Sequence, residues 1–132
     1  MAAHDDPLHP GPIRSLTNAT TPFLVQLQHD TDPVVLTNTF VVPEGKMDYM
    51  IALWRKDSLI MKAQPGFISA QLYKGIAGSN ILINVAVWES TADLRGGFMS
   101  EPFQETLKEY PDGALSYPQI LQKVAVSNVC TA

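Results

Sequence analysis

From Val34 onward the apolar positions change rhythm several times, and each change marks an element. Val34 to Val42 is a β-branched run and reads as a strand. After Pro43-Glu44-Gly45 the spacing becomes helical. Met47, Met50, Ile51, Trp54 and Met61 recur on one face, with Leu53 and Ile60 alongside. Gln64-Pro65-Gly66 stops that helix, because Pro65 cannot continue the hydrogen-bond ladder and Gly66 permits a positive φ. Phe67 to Lys74 and Ile81 to Trp88 read as two strands. The Gly75-Ile76-Ala77-Gly78-Ser79-Asn80 turn between them predicts a hairpin. Ser90 with Asp93 resembles a capping box and starts a second helix. That helix weakens at Gly96-Gly97 and restarts at Ser100-Glu101-Pro102, with Ser100 as N-cap and Pro102 in the first turn. Pro111-Asp112-Gly113 ends it, and Ile120 to Val126 is read as the last strand. The order is β-α-β-β-α-β, an α+β arrangement of one four-stranded sheet with both helices on one face.

Strand parity says something about the other face. Leu82, Asn84, Ala86 and Trp88 point one way, while Ile81, Ile83, Val85 and Val87 point the other. The second set is wholly β-branched and apolar, which a solvent-facing surface would not be. Two apolar faces need two covers, so the pattern predicts a homodimer formed sheet against sheet.

Residues 1–33 lack this patterning. They carry Pro7, Pro10, Pro12, Pro22 and Pro33 among polar residues, with one apolar piece, Phe23-Leu24-Val25. They are expected to form an irregular, partly disordered arm, followed by a folded domain at 34–126 and a tail at 127–132. All three histidines, His4, His9 and His29, lie in the arm, which leaves the folded body without an imidazole.

Composition narrows the classes. With 45% apolar and 17% charged residues the chain can bury a core. A net charge of -4 without a basic run argues against nucleic acid. No apolar stretch approaches the ~20 residues of a membrane span. The absence of a signal-like apolar start and the single Cys130 point to a reducing, cytoplasmic setting. Asn18-Ala19-Thr20 matches a glycosylation acceptor and is read as chance. There is no phosphate-cradling glycine loop, and no Cys, His or carboxylate cluster has metal-ligand spacing. Chemistry must therefore rest on amides, aromatics, a few carboxylates and the backbone.

Two residues break the apolar rows. Asn38 shares parity with Leu36, Phe40 and Val42, and Asn84 with Leu82, Ala86 and Trp88. An unpaired buried amide costs about 1–3 kcal/mol, so each must bond to something. Either the amides fix strand register, or they line a cavity and address a ligand oxygen beside Trp88. Trp54, Met50 and Met61 sit at helical spacing and read first as core. Arg95, near the start of the second helix, is either a solvated charge or a contact for a polar ligand.

These residues resemble a known family. Val35-Leu36-Thr37-Asn38-Thr39-Phe40, the turn Gln64-Pro65-Gly66-Phe67, the segment Asn84-Val85-Ala86-Val87-Trp88-Glu89-Ser90, and Phe98 with Pro102-Phe103 are similar to antibiotic-biosynthesis-monooxygenase domains. The resemblance runs from about Val34 to Val126. It implies a ferredoxin-like βαββαβ domain, a dimeric α+β barrel, and a pocket between each sheet and its own helices. In quinone-forming members O2 is used without cofactor, and amides and a Trp matching Asn38, Asn84 and Trp88 line the site. The expected catalytic set is therefore Asn38, Asn84 and Trp88, with Phe40, Met50, Trp54, Tyr73, Arg95 and Phe98 as substrate contacts. The expected partners are a small aromatic or apolar molecule and O2, with no metal. The haem-degrading branch also needs a His on the second helix, and Ser90 to Tyr110 contains none. A non-redox isomerase or cyclase, and a non-catalytic dimeric binding domain, are the alternatives.

Overall fold

The computed structural model describes residues 11–16 and 21–132. His4, His9 and Asn18-Ala19-Thr20 lie outside the described residues. The elements run α1 (Phe23–Gln26), β1 (Val34–Val41), α2 (Met47–Lys62), β2 (Phe67–Lys74), β3 (Ile81–Trp88), α3 (Thr91–Phe98), α4 (Glu101–Thr106) and β4 (Leu115–Leu121). A 3-10 turn at Leu107–Glu109 extends α4. The four strands lie in the order β2-β3-β1-β4, all antiparallel, which is the ferredoxin-like α+β fold.

Local sequence explains the joints. Gly66 adopts φ +83° at the end of α2, and a Cβ there would collide with the Asp93 carboxylate. Ser90 caps α3, its hydroxyl accepting from the Asp93 N–H at 3.1 Å and donating to the Asp93 carboxylate at 2.9 Å. The chain does break after Phe98 and restart behind Ser100.

The alternation along β1 and β3 decides the layers. Leu36, Phe40, Leu82, Ala86 and Trp88 are buried against α2, α3 and α4. Val35, Thr37, Ile83, Val85 and Val87 point the other way and remain half-buried. No helix among the described residues is long and apolar enough to cross a membrane.

Two expectations need correction. The last strand is Leu115–Leu121, not 120–126. Of its inward positions, Ser116 and Pro118 do not look like core because they face a polar-edged cavity, while Ile120 packs on the core. Pro118 is tolerated because β4 is an edge strand of the sheet, and the arm bonds its outer side only at Ser116 and Ile120. Residues 121–132 are exposed, closed only by a small Val126–Cys130 turn. The arm is not simply irregular either. Phe23–Gln26 is helical, and Ile13, Phe23 and Leu27 are buried in the core. The Gln26 side-chain amide exchanges two hydrogen bonds with the backbone of Ile120, and Ser116 bonds the backbone of Pro12 and Arg14.

Candidate active site

Sheet and helices do not close completely over the centre of the inner face. They leave a cavity of about 60 Å³, lined mainly by apolar and aromatic side chains. β1 contributes Leu36, Asn38 and Phe40, and β3 contributes Asn84, Ala86 and Trp88. α2 contributes Trp54, Asp57, Ser58 and Met61, and the far wall holds Phe98, Phe103 and Tyr110. Ile13 and Phe23 of the arm complete the enclosure.

Register places the two amides together. Asn38 and Asn84 are direct cross-strand partners, so their side chains are neighbours on the inner face. They differ in what holds them. The Ser116 hydroxyl donates to Asn38 Oδ1 at 2.7 Å, which fixes that amide's direction and turns its N–H groups away from β4. Asn84 Oδ1 is buried with no hydrogen-bond partner. Half a turn about its terminal bond would present the amide donors instead. The register-fixing reading therefore suits Asn38 in part, through Ser116, and does not suit Asn84. Trp88 is 1% exposed and meets Phe67 edge to face at 5.4 Å. Gly97 lets α3 approach it, since a Cβ there would lie 3.1 Å from the indole and 2.9 Å from Met61 Sδ.

Asn38, Asn84, Trp88, Phe40, Trp54 and Phe98 thus share one cavity. Three expected contacts do not. Met50 is buried in a second core cluster with Phe40, Leu53 and Leu82 and does not line the cavity. Tyr73 is 57% exposed opposite Ile83, on the outer face of the sheet, because its parity is opposite to that of Leu72. Arg95 donates to the Leu27 carbonyl at 2.6 Å and pairs with Asp30 at 3.4 Å, so it anchors the arm.

The sequence reading missed Asp57. It is 7% exposed, lines the cavity, and has Oδ1 buried without a partner. Burial pushes its carboxyl up to about 6, opposed by the neighbouring Thr106 hydroxyl; Glu109 raises it further and Lys56 lowers it. Burial, and then the Asp57 charge, pushes the Tyr110 hydroxyl up as well, so it stays a neutral phenol. The available signal was an acidic residue four positions after Leu53 and four before Met61, on the apolar face of the helix. Among the described residues, no group of three or more His, Cys, Asp or Glu could hold a metal ion.

A ferredoxin-like sheet with an amide- and Trp-edged cavity under its helices defines a structural class, and comparison with known proteins makes it specific. Residues 33–109 match the antibiotic biosynthesis monooxygenase family, and the chain belongs to it. A candidate monooxygenase from Shewanella loihica PV-4 is 33% identical, with a TM-score of 0.62; the match covers 72% of this chain and 97% of that one. SnoaB, a cofactor-independent oxygenase from Streptomyces nogalater, shares the fold at 20% identity and TM-score 0.64, covering 74% and 99%. PA3566 from Pseudomonas aeruginosa does so at 18% and 0.62, again covering 74% and 99%. No curated protein matches the chain. Ile13 and Phe23 precede the family match, so part of the cavity wall lies outside the matched domain.

Proposed function

We propose that the protein is a cofactor-independent monooxygenase that oxidises a phenolic or anthrone-type aromatic substrate with O2. One observation carries this reading: the buried, unpartnered pole of Asn84, beside Asn38 and Trp88 in an aromatic cavity. Native proteins leave few buried polar atoms unbonded, and those they do leave need an explanation. A ligand oxygen supplies one. The 33% identity to a candidate monooxygenase supports the reading, as does family membership.

The chemistry fits the residues. Loss of a proton makes the substrate an electron-rich anion with charge on its oxygen. Amide donors in a water-poor site favour that charge and the developing peroxide. The anion passes one electron to O2, the radicals combine, and the peroxide loses water to leave a quinone. For anthrone the balance is anthrone plus O2 giving anthraquinone plus water. Amides, aromatics and the substrate's own electrons suffice.

The test is quinone formation and O2 uptake with an anthrone under air. Asn84→Ala should lower turnover by about 10²–10³-fold, as loss of one oxyanion donor does elsewhere, while the thermal melt shifts little. Trp88→Phe removes the indole N–H and keeps most of the bulk. Unchanged turnover in Asn84→Ala, Asn38→Ala and Trp88→Phe refutes the assignment. Binding without O2 uptake by the wild type would support a binding domain or a non-redox isomerase instead.

The working unit in this proposal is a homodimer. The outer row Ile81, Ile83, Val85 and Val87 is half-buried, and the tail exposes Val124, Val126 and Val129. A second copy of the sheet is the cover these surfaces fit.

A further inference from the structure

We propose that Asp57 is the general base of the site, taking the substrate's acidic proton onto Oδ1. This inference rests on the oxygenase reading and deepens it by supplying the step that the amides cannot perform. Asn38 and Asn84 stabilise an anion but cannot accept a proton at neutral pH. The folded domain has no histidine, the usual base. Asp57 meets the geometric requirement. Its side chain is more than nine-tenths buried, it lines the same cavity as both amides, and its Oδ1 has no partner. Three buried side-chain polar atoms lack a partner among the described residues: Arg14 Nη2, Asp57 Oδ1 and Asn84 Oδ1. The last two line this one cavity, from opposite layers, α2 and β3. A substrate held between them meets a proton acceptor on one side and an oxygen-binding amide on the other.

The groups around Asp57 suit the role. Thr106, from α4, lies beside the carboxylate but donates its hydroxyl to the Phe103 carbonyl at 2.6 Å, which leaves Oδ1 open. Lys56, on the same helix, is tied to Glu109 at 2.8 Å, so its ammonium does not neutralise Asp57 directly. Tyr110 stays neutral beside it. Desolvation places the carboxyl at about 6, which leaves it ionised at neutral pH and more basic than an exposed aspartate.

The step balances. Asp57 Oδ1 forms an O–H bond as the substrate's C–H or O–H breaks. The electron pair stays on the substrate and spreads to the oxygen that Asn84 addresses. After O2 adds, the proton returns to the peroxide anion and the carboxylate is restored. The hydroperoxide then loses hydroxide, which leaves as water with the remaining ring proton.

Proton removal can be read without oxygen. The probe is 1,8-dihydroxyanthrone mixed with the full chain under argon, with the anthronate followed by its absorbance. The wild type should ionise the bound probe, at a rate that rises with pH and levels above about pH 6. Asp57→Asn keeps the shape and should slow ionisation by about 10²–10⁴-fold, the usual contribution of a positioned base. Asp57→Glu should restore part of it. Ionisation at the wild-type rate in Asp57→Asn overturns the proposal, as does a wild-type profile with no rise through pH 6, or a wild type that does not ionise the probe. Should Asp57→Asn fail to fold, the wild-type profile and Asp57→Glu decide. If the wild type ionises the probe yet forms no quinone when air is admitted, the base stands and the oxygenase reading falls.

Discussion

Asn38 and Asn84 are chemically the same and lie opposite each other in register, yet one is held by Ser116 and the other has a buried oxygen free. The sequence shows two amides in apolar rows but not which is committed, because Ser116 lies 78 positions away from Asn38. Asp57 makes the same point more sharply. Its acidity is shaped by burial first, then by Thr106 and Glu109, all brought in by the fold. It also carries a stability prediction. The folded carboxyl titrates near 6, against 3.8 when unperturbed. Between those values the folded chain keeps a proton that the unfolded chain has released. Stability therefore falls as pH rises through that window, and the full penalty, on the order of 3 kcal/mol, is present above pH 6. Asp57→Asn has no charge to bury. It should melt several degrees above the wild type at pH 7 and lose that advantage near pH 4. A melting difference that does not change with pH would contradict the buried charge.

The elements were legible to unequal degrees. β2 and β3 carry their alternation and turn residues openly, and α2 its helical stripe, and the structure has all three. β4 was misplaced because its inward Ser116 and Pro118 serve a cavity rather than a core, so the apolar alternation on which the reading depends is missing over most of the strand. The helix α2 also separates the cavity from a groove of about 370 Å³ beside the edge strand β2. Trp54, Ser58, Phe67 and Ala70 line both spaces. The cavity, at about 60 Å³, is smaller than the roughly 300–1,000 Å³ of pockets for drug-sized ligands. A fused-ring substrate must therefore displace part of this partition, and Trp54 is its largest side chain. Trp54→Ala should join groove to cavity, admitting three-ring substrates with a higher association rate. Removal of a partly buried aromatic should also lower stability by about 3 kcal/mol or somewhat less, given its partial exposure. Stopped-flow binding and thermal melts separate the two effects, and unchanged association would place the entrance elsewhere.

At the scale of the molecule, two surfaces extend the family domain. The first is the arm, whose burial the proline-rich composition hid. Among the described residues its buried apolar anchors are Ile13, Phe23 and Leu27, and their contacts lie far away in sequence. Phe23 meets Phe98 edge to face at 5.3 Å on the cavity wall. The second is the outer sheet face, which the strand parity did mark. Val85 sits in its middle, with Thr37 of β1 on one side and Gln71 of β2 on the other. Among the described residues, no helix reaches that face, since α1 to α4 pack beneath the sheet. If a second copy covers it, Val85→Glu places two like charges in an apolar interface with no partner to neutralise them, a cost of several kcal/mol. In a monomer the same glutamate would sit half in water and cost little. Light scattering should therefore give twice the chain mass for the wild type and the chain mass for Val85→Glu. Circular dichroism should show the variant still folded, because its inward neighbours Asn84 and Ala86 are untouched. A folded wild type that stays at the chain mass across the concentration range would sink the dimer.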